Sequence, residues 1–241
     1  MIQVQLRGRM GNNMFQYAVV RTVAEMRGYD FALKESNDWQ WMWGKLFNVD
    51  RGVKCGVIKK TFFDTNQQEF NPDIFNVEDF TLLYGFFQSE KYFDHEKVRT
   101  WFKPIVEIPP VPDDVCYIHF RGGDYNEFPW SLYQLPNSYY ADAKEKILEQ
   151  NGDIRFIVVT DDVMEARNRF PNDEIISCSM EVDFTTMTKA KYLIISNSTY
   201  SWWAAWLSNA YVIAPQGWNL YNSNKEVFSP ADIKVERFIW T

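Results

Sequence analysis

The sequence predicts an α/β protein, and three observations carry that reading. The chain opens as strand, Gly-Asn loop and helix between Ile2 and Arg27. Beyond residue 113, apolar runs of strand length alternate with helical stretches. Three polar clusters follow directly on the carboxyl ends of such runs, where open parallel sheets bind their ligands.

Ile2 to Leu6 alternates apolar and polar residues, as a short strand does. A turn over Gly8 to Asn13 follows, then a helix from Met14 to about Arg27. Phe15, Ala18, Val19, Thr22 and Val23 share one of its faces, and Gly28 ends it. Residues 36 to 80 carry no readable period. Thr81 to Phe87 reads as a strand and Glu90 to Phe102 as a helix. The stretch Glu107 to Asp114 has three prolines in four residues, which suits neither a helix interior nor a central strand. It divides the chain into an N-terminal lobe, 1–112, and a C-terminal lobe, 113–241; a surface loop within one domain is the alternative.

In the second part, Val115 to Phe120 is a strand that runs into Arg121-Gly122-Gly123-Asp124. Ser138 to Gln150 is a helix. Arg155 to Thr160 is a strand ending in Asp161-Asp162, with a helix from Val163 to Arg169. Ile175 to Cys178 is a short strand and Phe184 to Lys189 a helix. Tyr192 to Ile195 is a strand ending in Ser196-Asn197-Ser198-Thr199, and a helix runs from Ser201 to Ser208. Tyr211 to Ala214 is the next strand.

Bulk properties narrow the function classes. The 241 residues are 46% hydrophobic and 24% charged, as in a globular protein. A net charge of −7 argues against a nucleic-acid partner. Cys55, Cys116 and Cys178 form no CxxC pair or disulfide framework, and His95 and His119 are too few for a histidine metal site. No run reaches 18 apolar residues, and no basic region leads into an apolar stretch at the start. The expectation is a cytoplasmic protein without a membrane span. Aromatic residues make up 17%, ten of them Trp; most are expected to fill the core, although such rings also stack on bases and sugars.

The three polar clusters carry the chemistry. A Ser/Thr/Asn turn opening a helix presents backbone N–H groups and a positive dipole end, which suits a phosphate. Alternatively, Ser196 to Thr199 only cap the helix. Arg121, between a strand and two glycines, can hold a pyrophosphate bidentately; a salt bridge to Asp124 is the other reading. Of the adjacent Asp161 and Asp162, one can face the ligand while the other caps the following helix. There is no GxGxxG, no Walker loop, no Gly-x-Ser-x-Gly elbow and no Asp-x-Asp after a strand.

These segments resemble the α-1,2-fucosyltransferase family. Gly8 to Ala18, GRMGNNMFQYA, is similar to the family's GGLGNQMFQYA. Gly85 to Phe93 reads GFFQSEKYF, His119 to Tyr125 reads HFRGGDY against HxRRGDY, and Ser196 to Leu207 reads SNSTYSWWAAWL against SNSSFSWWGAWL. The matches keep their order over nearly the whole chain. The resemblance implies two facing Rossmann-like lobes of the GT-B type with the donor between them, 1–112 on the acceptor side and 113–241 binding the nucleotide sugar, and inverting transfer of L-fucose from GDP-fucose. It also implies no metal, and since Golgi members of such families usually carry a membrane anchor, the chain is expected to be a cytoplasmic enzyme of bacterial or viral type or an excised catalytic domain. The acceptor would be a glycan hydroxyl, in an α-1,2 linkage to galactose or a related sugar. It further implies that Arg121 binds the donor pyrophosphate and that Ser198 and Thr199, with Asn197 and Ser201 in the same block, serve the β-phosphate. Asp161 or Asp162 would bond the guanine or ribose, and Gly11 and Asn12 would approach the phosphate. Asp124 is the candidate base, or the residue that orients Arg121, and His119 is the weaker candidate base. The chain departs from the family where a second arginine gives way to Gly122; Arg9 is the residue that could replace its charge. Another GDP- or UDP-sugar donor, or a non-catalytic binding protein, are the rival readings.

Overall fold

A computed structural model describes residues 1–34, 43–64, 69–218 and 230–241. The chain forms two compact units, Met1–Ile105 with Pro230–Lys234, and Val106–Ser229 with Val235–Thr241. The proline-rich stretch 107–112 lies within the second unit.

The first unit holds a parallel sheet of four strands in the order β2-β1-β4-β3. These are β1 (Ile2–Gln5), β2 (Phe31–Lys34), β3 (Lys60–Phe63) and β4 (Thr81–Tyr84). Helix α1 (Met10–Arg27) is buried on nearly all sides. It starts four residues before the expected Met14, so Gly11 and Asn12 sit in its first turn instead of a loop. Asn13 explains the early start, because its side-chain amide donates to the carbonyls of Arg7, Gly8 and Arg9 at 3.0, 3.2 and 2.8 Å. This folds the preceding turn back onto the helix. Gly28 ends α1 at φ 68°, in the left-handed region glycine tolerates, and its N–H reaches Ala24 and Glu25.

Between β2 and β3 lies a short helix, α2 (Trp43–Leu46). Sequence periodicity missed β2, α2 and β3; parts of the unreadable stretch, residues 36–42 and 65–68, lie outside the described residues. The helix expected over Glu90 to Phe102 is broken. A 3₁₀ turn at Glu90–Tyr92 precedes α3 (His95–Trp101), since Ser89 caps the first and Asp94 the second.

The second unit carries six parallel strands in the order β10-β9-β8-β5-β6-β7. They are β5 (Val115–Phe120), β6 (Arg155–Thr160), β7 (Glu174–Ile176), β8 (Tyr192–Ile194), β9 (Tyr211–Ala214) and β10 (Ile239–Trp240). The chain starts in the middle at β5, runs outward through β6 to β7, then returns to β8 and runs the other way. That is the strand order of a nucleotide-binding α/β unit, with its switch point between β5 and β8. Helices α4 (Asn137–Gln150), α5 (Val163–Arg169), α6 (Met180–Lys189) and α7 (Thr199–Leu207) connect the strands. Every residue of β5 is buried, as a central strand covered on both faces requires.

The tryptophans of α7 belong to the core. Trp202, Trp203 and Trp206 are at most 1% exposed. Arg237, from the C-terminal segment, donates to the carbonyls of Ala205, Trp206 and Ser208 and so closes the end of α7.

Candidate active site

The carboxyl ends of β8, β5 and β6 are neighbours in the second unit, so the fold brings all three polar clusters to one sheet edge. Two side chains span the switch point. His119 Nδ1 lies 2.7 Å from Ser196 Oγ, and Arg121 Nη1 donates to Ser198 Oγ at 3.3 Å.

Arg121 is the centre of the arrangement. Its Nη2 donates to both oxygens of Asp124, at 3.0 and 3.2 Å, and its guanidinium lies over the Tyr125 ring at 4.7 Å. Its Nε is buried and has no hydrogen-bond partner among the described residues. A buried guanidinium N–H left unsatisfied is costly, and a ligand oxygen there would satisfy it. Ser198 is the N-cap residue of α7, yet its side chain makes no capping bond and is taken by Arg121 instead. The first-turn N–H groups of a helix have no intrahelical partners. An uncapped helix start beside a partly unsatisfied arginine has the chemistry to hold an anion.

The aspartates divide their work. Asp162 is the N-cap of α5, accepting from Glu165 N at 3.0 Å. Asp161 Oδ1 accepts from Gly122 N at 2.9 Å, holding the loop after β5 from the β6 side. A Cβ on Gly122 would lie 2.5 Å from Asp162 Cβ, so the position of Asp162 requires glycine here. The family's second arginine cannot be accommodated without moving Asp162.

Three sequence-derived candidates carry structural tasks. His119 is buried, and desolvation, with Arg121 adding repulsion, holds its pKa down at about 3. A base so weak is poorly matched to neutral pH, which favours a neutral bridge to Ser196 over proton transfer for His119. The Asn197 amide donates to the carbonyls of Tyr133 and Trp218, at 2.7 and 3.0 Å. Ser201 is buried, and its hydroxyl is directed to the carbonyls of Ser196 and Ser198. Thr199 begins α7. In the first unit, Gly11 is buried, Arg9 is exposed, and Asn12 Oδ1 accepts from Gln88 Nε2 at 2.8 Å.

Sequence reasoning missed the residues after Asp124. Tyr125, Trp130 and Tyr133 form a ring cluster, and Asn126 bridges Asp162 and Gln134 at 2.6 Å each. Nothing in the periodicity of 125–135 marks them; their proximity to Arg121 comes from 3₁₀ turns at Gly123–Asn126 and Trp130–Tyr133.

The profile of glycosyl transferase family 11 matches residues 82–239. The chain belongs to glycosyl transferase family 11. It is 30% identical to an α-1,2-colitosyltransferase of Escherichia coli, over 90% of this chain and 92% of that protein. It is also 36% identical to the Escherichia coli O-antigen biosynthesis glycosyltransferase WbnK, over 46% of this chain and 41% of that one. Solved structures show the same fold at low identity. POFUT1 in complex with GDP has a TM-score of 0.54 at 13% identity, covering 87% of this chain and 94% of its own. A FUT1 variant of Arabidopsis thaliana in complex with GDP has 0.53 at 9%, covering 97% and 75%. Escherichia coli heptosyltransferase WaaC with ADP has 0.52 at 10%, covering 99% and 92%. The family 11 chain is thus a glycosyltransferase with an α/β fold of the GT-B type. No helix among the described residues is long and apolar enough to cross a membrane.

Proposed function

We propose that this family 11 enzyme transfers L-fucose from GDP-fucose, with inversion and without a metal, to a glycan hydroxyl. The acceptor is galactose or a related sugar, joined in an α-1,2 linkage. The carrying observation is the buried, unpartnered Nε of Arg121 beside the uncapped start of α7. Together they offer a guanidinium N–H and backbone N–H groups to the donor pyrophosphate. Structures of similar fold that hold GDP or GDP-fucose support the choice of donor.

In the transfer, an acceptor oxygen forms a bond to the anomeric carbon. The bond from that carbon to the β-phosphate oxygen breaks, and its electron pair stays on GDP. Charge therefore grows on the phosphate, and Arg121 with the α7 N–H groups opposes it. The acceptor proton goes to a carboxylate, assigned to Asp124, which is also held by Arg121. Asp161 keeps the loop after β5 in place and serves the nucleoside side of the donor. Metal independence rests on the missing Asp-x-Asp and on this cationic site.

A second reading, transfer of colitose, is favoured by the relative that is 30% identical over 90% of the chain. Melting curves with GDP, UDP, GDP-fucose and GDP-colitose test both. A ligand at 100 times its Kd adds about 2.7 kcal/mol, so GDP is expected to raise the melting temperature clearly and UDP much less. Equal shifts for UDP and GDP refute the guanosine donor. Turnover with only one of the two GDP-sugars, in the presence of EDTA, decides the sugar and the metal question.

A further inference from the structure

We propose that Tyr125, Tyr133 and Trp130 form a platform on which a pyranose ring of the acceptor stacks, with Trp130 as the residue that selects for it. The proposal rests on the reading of Arg121 and Asp124 as the reacting end of the site.

The three rings are contiguous. The centroids of Tyr125 and Tyr133 are 5.9 Å apart, and those of Tyr133 and Trp130 are 5.7 Å apart. One end of the row lies under the Arg121 guanidinium and next in sequence to Asp124. The other end is open, with Trp130 49% and its neighbour Phe128 82% exposed. Trp101, Trp202, Trp203, Trp206 and Trp218 are buried, so Trp130 stands apart from them. Exposed apolar surface that runs up to a reaction centre marks a binding surface.

The platform is braced. Asn197 donates to the Tyr133 carbonyl at 2.7 Å, and Asn126 ties the loop to Asp162. Gln134 links Asn126 to Arg169, which also donates to the Leu135 carbonyl. A surface already held in place binds at lower entropic cost than a loop that must be ordered.

The geometry favours a sugar over a nucleobase. Adjacent rings tilt by 42° and 36°, so their faces do not form one flat slot. A planar base gains most between parallel faces. A puckered pyranose presents axial C–H groups that meet the electron-rich faces of tilted rings. Carboxylate and amide groups at the rim, from Asp124 and Asn126, suit its hydroxyls. An acceptor lying on this row has its hydroxyl near Asp124, as proton transfer requires.

Saturation-transfer NMR on the full chain, with methyl β-D-galactopyranoside, methyl β-D-glucopyranoside and lactose, tests the platform. GDP melting shifts are measured on the same samples. We expect saturation of the ring C–H protons of at least one glycoside. In Trp130→Ala its binding should weaken at least about tenfold, with most of it restored in Trp130→Phe. The GDP shift should stay the same in both variants. Should Trp130→Ala not fold, Trp130→Leu serves in its place. Binding of none of the three glycosides, or binding indifferent to Trp130, overturns the proposal. A loss of the GDP shift with glycoside binding intact overturns it in favour of a nucleobase platform. Trp130-dependent glycoside binding in a protein that does not bind GDP would instead overturn the donor reading and leave the platform standing.

Discussion

His119 Nδ1 and Ser196 Oγ lie 2.7 Å apart across the switch point of the second unit, joining the ends of β5 and β8 beneath Arg121. Burial keeps the imidazole neutral, with a pKa near 3 in the folded protein against the ordinary 6.5. Between these values the unfolded chain holds a proton that the folded one does not. Stability is therefore complete above about pH 6.5 and falls as pH drops toward 3, by up to about 1.4 kcal/mol per unit. His119→Asn removes this acid sensitivity, seen as a smaller loss of melting temperature between pH 6.5 and 4.5. The same variant should keep kcat at pH 7.5 within about tenfold, whereas loss of a general base typically costs about 100- to 10,000-fold.

Asp183 works in the opposite sense. Burial raises its pKa to about 6, against hydrogen bonds from Cys178 N that lower it. The folded chain then binds more protons than the unfolded one between about 3.8 and 6, so this contribution fades as pH rises through 6. Asp183→Asn should be more stable than the parent at pH 7.5, by up to about 3 kcal/mol, and no more stable at pH 3.5. Urea midpoints at the two pH values measure the difference.

Arg121→Lys keeps the charge and loses the planar fork. A lysine cannot keep Ser198 and Asp124 bonded and still offer an N–H to the phosphate, as the Arg121 fork can. Under the proposed function a donor to the pyrophosphate gains strength as the leaving phosphate gains charge, so the loss should fall mainly on kcat. Steady-state assays with GDP-fucose should show a fall of about 100- to 1,000-fold, with part of the GDP melting shift retained. Near-normal turnover would make Arg121 structural and leave Arg9 as the residue to test for the pyrophosphate.

The two adjacent aspartates should separate cleanly. Asp162→Ala removes the N-cap of α5 and should cost about 1 kcal/mol of stability. Asp161→Ala releases Gly122 N at the loop that carries Arg121, so it should weaken GDP binding at small cost to stability. Denaturation midpoints and GDP titrations on both variants check the assignment.

Asn197→Ala leaves the carbonyls of Tyr133 and Trp218 without their donor. Only the bond to Trp218 is fully buried; one buried group left unpaired costs about 1–3 kcal/mol, so a loss in that range is expected from denaturant midpoints. Acceptor KM should rise as the Tyr133 loop loosens, and GDP binding should change less.

The sequence by itself determined the alternation of strands and helices in the second unit and the three polar clusters at strand ends. The bounds of β5, β6, α5 and β9 were readable because buried strands are short apolar runs and amphipathic helices repeat at 3.6 residues. The motifs of Gly8 to Ala18 and Ser196 to Leu207 carried the family. The edge strands β2 and β3 left no such pattern, because each is only four residues long and β3 is largely exposed. Only the tertiary structure decided the roles within the site. It gave Asp162 to the helix cap and Asp161 to Gly122, and it committed Asn197 to two carbonyls. It buried His119 and left Arg121 Nε without a partner. It also set Tyr125, Tyr133 and Trp130 in a row beside Arg121. Residue type states what a side chain can donate or accept. Which partner it meets depends on strand order and on side chains up to 77 positions away, as in the His119–Ser196 and Arg121–Ser198 pairs.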